Sequence, residues 1–142
     1  WQTDNKLENK KELTKSDFID AYPRYSPIGN VIAFTSTRSG NFDIFRMSAD
    51  GTGIFQLTDN PGIDTRPSFS PDGSKIVYTS LRQGNYEVFI MNADGSNQKQ
   101  ITNNPGKDDF ACWHPDGKRI FYVGDVKGKK DIYSISVEEL LD

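Results

Sequence analysis

Short runs of apolar and aromatic residues follow one another along the chain, each broken by Gly, Asn, Asp or Pro. Residues 30–36, 42–48, 75–79 and 87–91 are such runs, and runs of this length between turn residues predict β-strands. Ser70-Pro71-Asp72-Gly73 lies between two of them. Pro presets φ at the second position, and Gly takes the left-handed conformation that closes a short hairpin. The turn recurs as Ser26-Pro27-Ile28-Gly29 and His114-Pro115-Asp116-Gly117, with 71 − 27 = 44 and 115 − 71 = 44. A fixed period of this size marks a propeller or solenoid, and the hairpins make the array all-β.

The period divides the chain. Residues 1–20 read as the end of a preceding unit: Leu13-Thr14 aligns with Leu57-Thr58 and Ile101-Thr102, and Trp1 falls on the strand position of Phe45 and Phe89. Lys6 to Lys11 reads as a polar loop. Residues 21–64 form the first full unit, with strands expected at 22–26, 30–36, 42–48 and 54–58. Residues 65–108 form the second, and about half of its positions are identical to the first. Its strands at 75–79 and 87–91 are apolar on both faces, as strands packed between two layers are. Residues 109–137 form a third unit without its outer strand. Ser136 and Glu139 fit a capping box, so a short helical turn is expected over 138–142.

The 142 residues carry a net charge of −3 and a pI near 5.2, which gives no electrostatic footprint for nucleic acid. No apolar run approaches the roughly 18 residues of a membrane helix. A single cysteine, Cys112, excludes an intrachain disulfide and leaves the redox compartment open.

The residue types present predict no catalytic set. The one histidine, His114, occupies the Ser position of a turn and is read as a local cap. Cys112 lies beside Trp113 in an inner strand and is read as a buried small side chain. The Asp-Gly joints fail the calcium-loop pattern, since the first ligand position holds Ile90 or Arg46. Hence no catalytic, cofactor or metal residues are assigned. Lys127, Lys129 and Lys130 read as a solvated loop. Arg38 and Arg82 recur one period apart, as do Asp43, Glu87 and Asp131, so Arg–carboxylate contacts are expected at the hairpin joints.

Pro67-Ser68-Phe69-Ser70-Pro71-Asp72-Gly73-Ser74-Lys75-Ile76-Val77-Tyr78-Thr79-Ser80 resembles the TolB-type propeller repeat, also named PD40. So do Arg82, Gly84-Asn85, Met91-Asn92-Ala93-Asp94-Gly95 and the Leu-Thr-x-Asn-Pro-Gly-x-Asp stretch at 57–64. The resemblance covers residues 11–135. It implies a β-propeller of four-stranded antiparallel blades, innermost strand first. The third unit departs from the pattern at Ala111, His114 and the joint from Gly124 to Lys130.

Propellers close with roughly four to eight blades, and three are too few. Two completions are expected as alternatives. In one, two copies pair head to tail, each N-terminal strand finishing the partner's third blade in a six-bladed ring. In the other, the chain is part of a longer propeller, which the mid-strand position of Trp1 favours. The resemblance implies a non-catalytic module for protein–protein interaction, periplasmic or extracellular. It also admits the accessory propeller of a prolyl-oligopeptidase-like or tricorn-like peptidase, with catalysis outside this chain. The candidate binding positions at the channel mouths are those that differ between matching units: Tyr22, Ile63, Arg66, Lys107 and Phe110. Asp20, Asp64 and Asp108 precede the innermost strands, and are expected either to ring a mouth or to cap the local turn.

Overall fold

The computed structural model describes residues 9–140. The first sheet is β1 (Asp20–Tyr25), β2 (Val31–Ser36), β3 (Asp43–Ser48) and β4 (Phe55–Gln56), in that order. The second repeats it as β5 (Asp64–Phe69), β6 (Lys75–Ser80), β7 (Glu87–Asn92) and β8 (Lys99–Gln100). The third has β9 (Asp108–Trp113), β10 (Arg119–Val126) and β11 (Lys129–Ser136), with β11 at its edge. All pairings are antiparallel. The sheets are the blades of a partial propeller. β1, β5 and β9 lie side by side as its inner wall, and the array does not close into a ring.

The turn chemistry acts as its residue types require. Gly29, Gly73 and Gly117 have φ of 78°, 70° and 70°. Ser70 Oγ donates to Asp72 Oδ1 at 2.6 Å, and the same carboxylate accepts the Ser74 N–H at 3.0 Å. In the third copy His114 Nδ1 accepts the Asp116 N–H at 3.2 Å, the local cap expected of it.

Alternating residues of the middle strands face opposite blades. Ile76, Tyr78, Phe89 and Met91 pack against Ala33, Ile44 and Leu57 of the first blade. Val77, Val88 and Ile90 pack against Ala111, Ile120 and Val137 of the third. Each fully buried side chain of this kind contributes about 1.5–3 kcal/mol.

Two strand expectations are corrected. The outer strands are two residues long: the ladder ends where the Leu57 and Thr58 N–H groups both turn to Ile44 O, at 2.8 and 3.3 Å, while the Leu57 carbonyl side reaches the next blade. Leu57 O lies 2.7 Å from where a Cβ at Gly95 would sit, so only glycine admits the crossing chain there. Thr58 Oγ1 accepts the Ile44 N–H at 2.9 Å and donates to Asp43 at 3.1 Å. Leu13 repeats the crossing, its carbonyl 2.7 Å from the Cβ position of Gly51. Residues 11–14 form no strand, however, and Trp1 lies outside the described residues. At the other end Glu138–Leu140 is one 3₁₀ turn. It is held by the Leu140 N–H on Val137 O at 3.0 Å rather than by a Ser136 side-chain cap.

Candidate functional site

Each inner strand carries a bulge at the same repeat position. The register shifts between Ala21 and Arg24 and between Thr65 and Ser68, and β9 shifts against β10 in the same way. The bulged residues Tyr22, Arg66 and Phe110 have φ of 52°, 55° and 56°. Such values are uncommon outside glycine, and for a bulky side chain they persist only where the surroundings enforce them. Two local features do so. Pro23 and Pro67 follow the bulge and need no ladder partner. The Arg66 N–H turns to Thr35 Oγ1 at 3.2 Å, and the Phe110 N–H to Asp109 Oδ1 at 2.7 Å.

The bulges bring the three side chains together. The Arg66 guanidinium lies 5.1 Å from the centre of the Tyr22 ring and 4.4 Å from that of Phe110. Its Nη1 contacts Asp109 at 2.9 Å, and Asp109 also accepts the Thr79 hydroxyl at 2.7 Å. Stacking of this kind is worth about 0.5–2 kcal/mol. Arg66 Nε is buried with no partner among the described residues. Tyr22 and Phe110 stay 41% and 58% exposed. Beside them is a cavity of about 200 Å³, lined also by Arg24, Ser68 and Cys112. Cys112 is therefore exposed, not buried as expected, because its side chain borders this cavity on the inner wall. The wall combines aromatic surface with two guanidinium groups against one carboxylate. That set has the chemistry to receive acidic and apolar groups.

Ile63 and Lys107 sit elsewhere, at the start of the inner strands. Their carbonyls accept the N–H groups of Leu81 and Asp125 at 2.8 and 2.9 Å. Lys107 Nζ lies 5.5 Å from the Tyr86 ring centre and borders a second cavity with Asn104 and Lys127.

Asp20, Asp64 and Asp108 form no open acidic mouth. Asp64 and Asp108 are wholly buried, and Arg82 meets Asp64 at 2.8 Å. Arg38 meets Asp20 at 3.0 Å. Burial pushes the Asp20 carboxyl up, but hydrogen bonds from Ser36, Arg38, Ser16 and Thr14 outweigh it and hold it below the ordinary range. The expected arginine contacts thus form with the carboxylates that open the inner strands. Asp43 and Glu87 instead accept the hydroxyls of Thr58 and Thr102. Burial raises the Asp43 carboxyl above its ordinary range. These threonines and the two crossing-chain glycines went unassigned in the sequence, although their 44-residue spacing was a usable signal.

A family model for the TolB β-propeller domain (PD40) matches residues 3–96. The chain belongs to the TolB β-propeller family. Among solved structures, a TolB from Agrobacterium tumefaciens matches with a TM-score of 0.80 and 25% identity over 89% of this chain. TolB from Acinetobacter baumannii matches with a TM-score of 0.75 and 28% identity over 84% of it. This TolB-family chain spans 48% and 30% of those two proteins. A puromycin-hydrolyzing peptidase of Mycobacterium tuberculosis shares the fold, with a TM-score of 0.71 and 17% identity over 84% of this chain and 20% of its own. No curated protein sequence matches significantly.

Proposed function

We propose that this TolB-like propeller is a non-catalytic binding module that docks an extended, acidic segment of a protein partner on its inner wall. The carrying observation is the Tyr22–Arg66–Phe110 stack. One repeat position holds three different side chains in a strained conformation, Arg66 among them, beside a cavity that Arg24 also lines. Strain kept in every blade, at a position whose side chain varies, suits a scaffold that presents a variable surface. By likeness to the TolB structures the compartment is the periplasm or the extracellular space. Further blades, from a second copy or a longer chain, complete the ring. In support, Ile132 is 78% exposed, whereas the equivalent Ile44 and Val88 are 0% exposed.

Selection of a displayed random peptide library on the immobilised protein tests this. Sequences rich in Asp or Glu are expected, with at least a tenfold loss of binding on Arg66→Ala. A library with no acidic preference, or binding unchanged in that variant, overturns the reading. A second reading, the accessory propeller of a peptidase, draws on the shared fold of the mycobacterial enzyme. It requires a hydrolase domain in the same polypeptide.

A further inference from the structure

The three blades differ in one repeated device. In the first, Arg38 Nε donates to Ser36 Oγ at 2.9 Å, Nη2 meets Asp20 at 3.0 Å, and the guanidinium lies 5.3 Å from the centres of the Phe34 and Phe45 rings. In the second, Arg82 Nε donates to Ser80 Oγ at 2.9 Å and Nη2 meets Asp64 at 2.8 Å. The Arg82 guanidinium lies 5.8 and 4.6 Å from the Tyr78 and Phe89 rings. A carboxylate, a serine and two rings therefore hold one arginine in each, and in the second blade the carboxylate is wholly buried.

The third blade keeps the carboxylate and both rings and lacks the arginine. Adding 44 to Asp64, Tyr78 and Phe89 gives Asp108, Tyr122 and Tyr133, whereas Ser80 and Arg82 become Gly124 and Val126. β10 and β11 run two residues further, into a Lys127-Gly128 turn. Val126 pairs with Lys129 there, at the exposed tip. Asp108 is wholly buried. Its carboxylate accepts the Asn104 side-chain amide, and Oδ1 has no partner among the described residues. The Tyr122 and Tyr133 rings stack at 5.6 Å and 23°. Tyr133, 37% exposed, lies with Asp108 Oδ1 around Gly124, 2.8 and 3.0 Å from where a Cβ would be. Glycine at 124 is what lets the ring and the carboxylate approach the same point. The buried Glu87 adds a second negative group near Tyr122.

We propose that this vacated position is a binding slot for a guanidinium or ammonium group, supplied by a basic side chain of a partner. The cation stacks on Tyr133 and pairs with Asp108, as Arg82 does with Phe89 and Asp64. Two copies of the arrangement in the same chain already hold that chemistry. In the third the anion is buried beside a half-exposed ring.

N-acetyl-arginine amide, titrated into the full chain while the Tyr122 and Tyr133 ring signals are followed by NMR, tests the slot. Saturable shifts are expected, with binding at least tenfold weaker for the neutral isostere N-acetyl-citrulline amide. Asp108→Asn is expected to abolish the response. Tyr133→Leu, at an exposed position where folding is safer, is expected to weaken it about tenfold. Equal responses to the two amides, absence of saturation, or wild-type binding by Tyr133→Leu overturns the proposal. Arg66→Ala is expected to leave the titration unchanged, so the inner-wall reading and this one fail separately.

Discussion

Arg82 closes over Asp64 at 2.8 Å, and Asp64 is completely inaccessible to solvent. Removing one partner of a buried pair leaves an uncompensated charge, which costs about 3–5 kcal/mol. Arg82→Met is therefore expected to destabilise the chain by about that much in urea unfolding. Arg38→Met is expected to cost less, because the Asp20 side chain retains 15% of its exposure. Equal costs would show that burial of the carboxylate does not set the energy.

Two glycines separate backbone strain from steric exclusion. Gly84 has φ of 81° and open space around its missing Cβ, so Gly84→Ala is expected to cost only the left-handed penalty of about 1–2 kcal/mol. Gly95 has φ of 90° and the Leu57 carbonyl 2.7 Å from its Cβ position. Gly95→Ala is expected to lose that penalty plus about 1–3 kcal/mol of overpacking. Thermal melts of the two variants measure the difference.

Asp72 sets an acid limit. The Ser70 hydroxyl, then the Ser74 N–H and hydroxyl, hold its carboxyl down at about 2, from an ordinary 3.8. A depressed carboxylate contributes stability that is complete above its unfolded value and is lost as pH falls toward its folded one. Urea midpoints are expected to fall between pH 5 and pH 2, and Asp72→Asn to flatten that slope. An unchanged slope would assign the acid sensitivity to other carboxylates.

Ile44 and Ile132 occupy one repeat position with opposite surroundings, 0% and 78% exposed. Ile44→Ala is expected to cost about 2–5 kcal/mol by leaving a cavity between blades. Ile132→Ala is expected to stay within about 0.5 kcal/mol in the isolated chain. A large cost at Ile132 would mean that another surface covers it in solution, and a light-scattering mass near twice the 16.0 kDa of one chain would identify that surface as a second copy.

The period, the Ser-Pro-Asp-Gly turns and the doubly apolar strands at 75–79 and 87–91 were legible, because turn geometry and two-sided burial each leave a local residue signature. The meeting of Tyr22, Arg66 and Phe110 was only half legible. Variation marked the position, but the left-handed bulge that draws the side chains together has no glycine to announce it. For Asp64 and Asp108 the sequence left a channel mouth and a local cap both open, because residue type does not report burial. Their hydrogen-bond partners are Asn60 and Asn104, each four residues upstream, and for Asp64 also Arg82, which arrives from the far end of the next hairpin strand. Cys112 was misplaced for a related reason: residue type suggested the interior, while its place beside the bulge puts it on the inner wall.

The carbonyls of Leu13 and Leu57 rest on Gly51 and Gly95, each within the blade that follows. The first two blades are thus each clamped by the chain segment that enters them, so coupling between these neighbours has a direction. Amide exchange should record that polarity. Loosening the segment around Leu57 should release protection in the second blade before the first, and a repeat array built this way unzips in the order of its sequence.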